Sequence, residues 1–136
     1  MISPVNKENI INAVEKILED REEIMFAYLF GSFVEEEVFN DLDVAIFLSA
    51  AKVLNKSPFY EIELSNQIEE VINIPTDIIL LNTAPDYIIN RVSRGRIVKD
   101  IATKKRVEFI TRHWKLYWDF NNKIKEYALE LKHGHR

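Results

Sequence analysis

Three aspartates and one Gly-Ser pair are the residues of this chain whose types and spacing suit chemistry. Asp41 and Asp43 stand two apart at the start of an apolar run that continues to Leu48. In a strand, side chains alternate, so both carboxylates point to one face. Two unpaired carboxylates that close repel each other, and a hard cation that prefers oxygen ligands, such as Mg²⁺, relieves the conflict. Asp77 lies at the start of another apolar run, Thr76 to Leu81, and on a neighbouring strand it completes a three-carboxylate cluster. Metal at such a cluster clamps the entering and leaving oxygens of a phosphoryl or nucleotidyl transfer. The third carboxylate is placed to take the proton of an attacking hydroxyl. Upstream, Gly31 ends the apolar run Ile24 to Phe30, where glycine lets the backbone approach a ligand closely. Ser32 adds a hydroxyl at the opening of a short helix, a natural phosphate position. Taken singly, a Gly-Ser pair is a common turn and Asp-x-Asp a common loop end; their order along the chain is what points to chemistry.

These residues need a small sheet to converge. Ile24–Phe30 and Leu42–Leu48 are continuous apolar runs of strand length, as expected for strands covered on both faces. Thr76–Leu81 reads as a third strand and Ile97-Val98 as a short edge strand. Asn9 to Asp20 carries Ile10, Ile11, Val14, Ile17 and Leu18 at helical spacing. Ser57-Pro58 has the residue types of an N-cap and a first helical position, and Tyr60, Leu64, Ile68 and Val71 continue that helix. Pro85-Asp86 starts another, which ends near Gly95. The last element is a helix from about residue 103 to 132, with Val107, Ile110, Trp114, Tyr117, Ile124, Ala128 and Leu131 on a heptad-like seam that Asn121 interrupts. Thirty residues at 1.5 Å each give about 45 Å, more than so small a core needs. Leu116, Trp118 and Phe120 lie off the seam. They either form a surface for a partner or a second copy of the chain, or wrap over the sheet edge. The order predicts one α/β domain over residues 1–136, a small mixed sheet flanked by helices with a long C-terminal helix.

Charge is unevenly spread. Residues 1–100 hold nine Lys/Arg against eighteen Asp/Glu, and residues 101–136 hold nine against four. An acidic body is a poor nucleic-acid binder, since phosphate contacts need cations. The basic end either meets an acidic partner or is a solvated face. There is no cysteine, which fits a reducing cytoplasm. Met1 to Glu8 has no apolar signal region and reads as mature protein, and no apolar run reaches membrane-span length. His133 and His135 read as tail residues, His113 as an interface or surface histidine, and Tyr87 and Tyr117 as packing residues.

The segment Tyr28 to Leu48, with Gly31-Ser32 followed by Asp41 and Asp43 on a strand, resembles the minimal nucleotidyltransferases of the DNA polymerase β superfamily. Thr76 to Val98, with Asp77 and the Leu81-Asn82 pair, is similar to the MntA-type antitoxin branch. The resemblance spans nearly the whole chain. It implies a nucleotidyltransferase fold and an enzyme that transfers AMP from ATP to a tyrosine of a cognate HEPN-type toxin. It further implies that Gly31 and Ser32 hold the nucleotide phosphates, that Asp41 and Asp43 hold Mg²⁺, and that Asp77 is the third acid of the catalytic metal site. Two features depart from the pattern. Eight residues separate Ser32 from Asp41, two fewer than is usual, and the spacer carries Val34 and the acidic run Glu35 to Glu37 where the family often has Arg-Gly. The acidic run reads as a solvated helix face, and Arg91, Arg94 and Arg96 either replace the missing positive charge or solvate the surface.

Two other readings stand beside the transferase. An antitoxin of this fold with a decayed site neutralises its toxin by docking alone; the long aromatic helix and the short spacer favour this one. A nucleotidyltransferase acting on a small molecule or RNA has no second domain here to hold that substrate.

Overall fold

A computed structural model describes residues 7–132; Met1 to Asn6 and the tail containing His133 and His135 lie outside the described residues. The chain runs α1 (Lys7–Glu19), β1 (Ile24–Phe30), α2 (Ser32–Glu35), β2 (Leu42–Leu48), α3 (Ala50–Leu54), α4 (Tyr60–Ile72), β3 (Thr76–Leu80), a 3-10 turn (Leu81–Thr83), α5 (Asp86–Val92), β4 (Arg96–Asp100) and α6 (Thr103–Lys132). The four strands form one sheet in the order β3-β2-β1-β4. β1 is antiparallel to both neighbours, and β2 and β3 run parallel. A parallel pair needs a crossover, which α3 and α4 supply.

Both faces of the sheet are covered, which is why β1 and β2 are apolar throughout. On one face Ala27, Leu29, Leu42, Val44, Ile46 and Leu48 pack against Ile10, Ile11, Val14 and Leu18 of α1 and Leu64 and Ile68 of α4. On the other, Phe26, Tyr28, Phe30 and Ala45 pack with Ile89 and Val92 of α5 and with Phe109 and Ile110 of α6. Alternation along each strand assigns the faces. The register slips between Ile24 and Phe26, so Ile24 joins the first face although it is even-numbered.

Three local expectations need correction. α4 starts at Tyr60 rather than at Pro58; Ser57 instead holds a turn before it, its hydroxyl accepting from the Phe59 amide at 3.1 Å. Val71 is exposed and Ile72 takes the core position, because a 3.6-residue period carries the Ile68 stripe to residue 72. The helix then stops at Asn73, which adopts the left-handed conformation with φ 58°. Along α6 the buried face keeps Ile110, Tyr117 and Asn121 of the heptad seam but takes Arg106, Phe109 and His113 in place of Val107 and Trp114. Arg106, Phe109, Ile110, His113, Tyr117 and Asn121 are half-buried, whereas Val107 and Trp114 are exposed. The surface beneath selects them. Phe109 meets the Phe47 ring at 4.9 Å between centroids, Arg106 Nε donates to Asp100 at 2.9 Å, and His113 Nδ1 bonds Asp86.

Leu116, Trp118 and Phe120 do not wrap over the sheet edge; all three are exposed. Residues 123–132 are exposed throughout. Phe120, Ile124, Tyr127 and Leu131 continue the body-facing stripe at spacings of four, three and four, and all are more than half exposed. Trp114 and Trp118, also exposed, stack on each other at 5.7 Å with planes 7° apart. Tyr87 is exposed rather than packed; with Asp86, Tyr117, Phe120 and Asn121 it lines a cleft of about 300 Å³ between α5 and α6. No described helix is long and apolar enough to cross a membrane.

Candidate functional site

The site begins where β1 ends. Phe30 is the β1 residue paired with Asp43, and Gly31 follows with φ 77° and ψ −154°, a region only glycine occupies without strain. A Cβ on Gly31 would stand 2.4 Å from Asp43 Oδ2. The glycine is therefore required twice, by its dihedrals and by the carboxylate beside it. Ser32 opens α2, a single turn held by Val34 and Glu35 amides donating to the Gly31 carbonyl, each at 3.0 Å.

The short spacer closes because it is pinned from inside. Phe33 and Phe39 are buried and meet edge to face at 4.6 Å, with the Lys7 ammonium 5.3 Å and 5.4 Å from their centroids. One helical turn and two aromatic anchors return the chain to β2 in eight residues. Glu35, Glu36 and Glu37 are exposed, but only Glu35 lies on a helix; Glu36 and Glu37 follow its end.

The register of β2 against β3 then fixes the acids. The Leu42 amide donates to the Pro75 carbonyl at 2.8 Å. The Thr76 amide donates to Glu69 at 3.0 Å and its hydroxyl to the Ile74 carbonyl at 3.0 Å. In this register Asp43 pairs directly with Asp77, so the two carboxylates share a sheet face on adjacent strands. β2 begins at Leu42, so Asp41 sits one residue before the strand, exposed. Burial pushes the Asp43 carboxyl above its usual range, the charges of Asp77 and then Asp41 push the same way, and Arg91 opposes them. Asp77 and Asp41 each lie close enough to act on Asp43. Among the described residues no three His, Asp or Glu side chains form a ready-made metal cluster.

The donor set nonetheless fits a hard divalent cation. Asp43 is partly desolvated beside two other carboxylates, all hard oxygen ligands. The space it occupies exists because Gly31 lacks a Cβ.

Arg91, from α5, lies with Nε 3.6 Å from Glu35 Oε2 and its guanidinium 6.0 Å from the Phe30 ring. Arg96 turns away to Glu8 at 3.2 Å. Hydropathy patterning carries no signal for the Glu35–Arg91 pair, which is 56 residues apart in sequence. Phe33 and Phe39 were equally invisible as spacer anchors. Asn82 has a physical role too. Its side-chain oxygen accepts from the Leu48 amide at 2.9 Å, and its Nδ2 donates to the Leu48 carbonyl at 3.0 Å, extending the β2–β3 pairing past the end of β3.

Several solved structures share this fold. A chain of the MntA–HepT toxin–antitoxin complex superposes with a TM-score of 0.67 at 15% identity, covering 92% of this chain and 98% of the other. A chain of the tri-AMPylated Shewanella oneidensis HEPN toxin in complex with MNT antitoxin gives 0.69 at 16% identity, over 93% and 98%. A chain of the toxin–antitoxin with AMP-PNP gives 0.69 at 17%, over 90% and 98%. No curated protein matches the sequence. The sequence itself matches the polymerase beta nucleotidyltransferase family over residues 12–106. That span holds the Gly31 turn, all three aspartates and all four strands, and the chain belongs to that family.

Proposed function

We propose that this protein is an adenylyltransferase that serves as an antitoxin, moving AMP from ATP onto a tyrosine of a cognate HEPN-type toxin in the cytoplasm. The observation that carries the reading is the pairing of Asp43 with Asp77 beside the Gly31 turn. It is supported by a family of nucleotidyltransferases and by fold relatives that include an AMPylated HEPN toxin with its antitoxin.

In this reading the tyrosine oxygen attacks the α-phosphorus of ATP. The new O–P bond forms as the bond from that phosphorus to the bridging oxygen breaks, and pyrophosphate leaves. The hydroxyl proton passes to the Asp77 carboxylate, which is exposed and so returns it to solvent. Gly31 and Ser32 bind the phosphates, the glycine by letting the backbone close in and the serine through its hydroxyl. Asp41, Asp43 and Asp77 would hold Mg²⁺, which when bound supplies neutralising positive charge at the transferring phosphate. The strands contribute orientation, since positioning and charge stabilisation account for most of such a transfer. The exposed apolar stripe of α6 is the toxin's docking surface.

ATP labelled at the α-phosphate, incubated with Mg²⁺, this protein and the partner, should label the partner; ATP labelled at the γ-phosphate should not. Label arriving from the γ-position would replace the proposal with a kinase. A second reading, neutralisation by docking without transfer, is favoured by the unpaired length of α6. It predicts no label from either nucleotide with toxin activity still suppressed.

A further inference from the structure

The Glu35–Arg91 pair has no part in the chemistry above, yet it stands over the site. Glu35 ends the turn that Ser32 begins, and Arg91 reaches it from the last turn of α5. The pair is loose at 3.6 Å, and both side chains are about half exposed, at 47% and 54%. Such a pair contributes little to folding, so Arg91 exchanges Glu35 for a stronger anion at small cost. The guanidinium also lies over Phe30, the residue between the Gly31 turn and the pairing with Asp43. Asp41, Asp43 and Asp77 make this corner negative, and a triphosphate adds to it. A cation is required on the nucleotide side, and the spacer offers Val34 and three glutamates. Arginine's planar fork matches phosphate oxygens in a bidentate fashion.

Resting on the nucleotidyltransferase reading, we propose that Arg91 leaves Glu35 to bind the terminal phosphates of the incoming nucleotide, the ones that depart as pyrophosphate, so that it selects triphosphates over monophosphates while Glu35 competes for it in the empty site.

The test is titration calorimetry of the full chain in Mg²⁺ with a non-hydrolysable ATP analogue and, separately, AMP. Wild type binds the analogue more tightly than AMP. Arg91→Ala weakens analogue binding about 10- to 100-fold, the range of one or two charge-assisted hydrogen bonds, and leaves AMP binding unchanged. Arg91→Lys recovers part of the loss. Glu35→Gln tightens analogue binding, because the competitor is gone. Circular dichroism of each variant checks the fold, and Glu35→Gln carries the test if Arg91→Ala loses helix. Equal analogue binding by wild type and Arg91→Ala, or an equal loss for AMP, overturns the Arg91 assignment alone. No binding of either nucleotide by wild type overturns the nucleotidyltransferase reading and this one with it.

Discussion

At the acidic corner, strand register sets every position. Asp43 faces Asp77 because Leu42 bonds Pro75 and Thr76 bonds Glu69, and Gly31 yields the space for the carboxylate. Along α6 beyond Asn122, the opposite holds. The stripe that packs Phe109 and His113 onto the body continues through Ile124, Tyr127 and Leu131, which none of the described residues bury. One region keeps polar groups together at a cost to folding, which burial and repulsion at Asp43 make visible. The other keeps apolar groups in water. Neither arrangement serves the stability of the isolated chain; under the proposed function the corner takes a cation and nucleotide and the helix takes the toxin.

The comparison breaks most sharply if the two regions are not separable. Asp43→Asn should lower the transfer rate about 10²- to 10³-fold, the scale for removing one charge-stabilising group, while partner binding measured by calorimetry stays as in wild type. Gly31→Ala places a methyl against Asp43 Oδ2 in a backbone region hostile to side chains. A displacement of that size should reduce transfer about 10²-fold, and a thermal melt should show lost stability as well. The reverse experiment acts on the helix. Ile124→Glu with Leu131→Glu should weaken partner binding about 30-fold, the scale of a hot-spot loss of ~2 kcal/mol, and leave binding of an ATP analogue unchanged. If the double variant loses nucleotide affinity as well, the regions are coupled and the division fails.

The smallest effect concerns pH. The folded-state pKa of Asp43 is raised, first by burial and then by Asp77. The fold therefore binds the proton more tightly than the unfolded chain does. The stability from this group is fully present below the ordinary value of 3.8 and is lost as pH rises through the raised folded value. Metal-free protein followed by thermal melts should lose this contribution on going from acid toward neutral pH. Asp43→Asn should lack that loss and melt slightly higher at neutral pH.

Much of the fold was legible because its signals are local. Continuous apolar runs mark β1 and β2, and Pro75 and Pro85 punctuate the elements around β3. The places of Asp43 and Asp77 at the heads of adjacent strands were equally readable, whereas Asp41 stands one residue before β2 rather than on it. Which groups face them was not. The Glu35–Arg91 contact depends on how α5 crosses the sheet, and no periodicity encodes that. The face of α6 was read correctly at Ile110, Tyr117 and Asn121 but missed at Val107 and Trp114, because a heptad reading scores apolarity alone. The actual contact is chosen by Asp100 and Asp86, which recruit Arg106 and His113. α3 went unseen since Ala50–Leu54 is a single turn that sets only Val53 against the core, capped by Ser49, whose hydroxyl accepts from the Lys52 amide.

The central claim, that the corner transfers AMP, is tested most directly by the intact mass of the partner protein. The partner is incubated with ATP and Mg²⁺ alongside wild type and alongside Asp41→Asn. The account predicts that wild type adds one or more AMP units to the partner, on tyrosine, and that Asp41→Asn adds none. An unchanged partner mass with wild type, while the toxin remains neutralised, would contradict it.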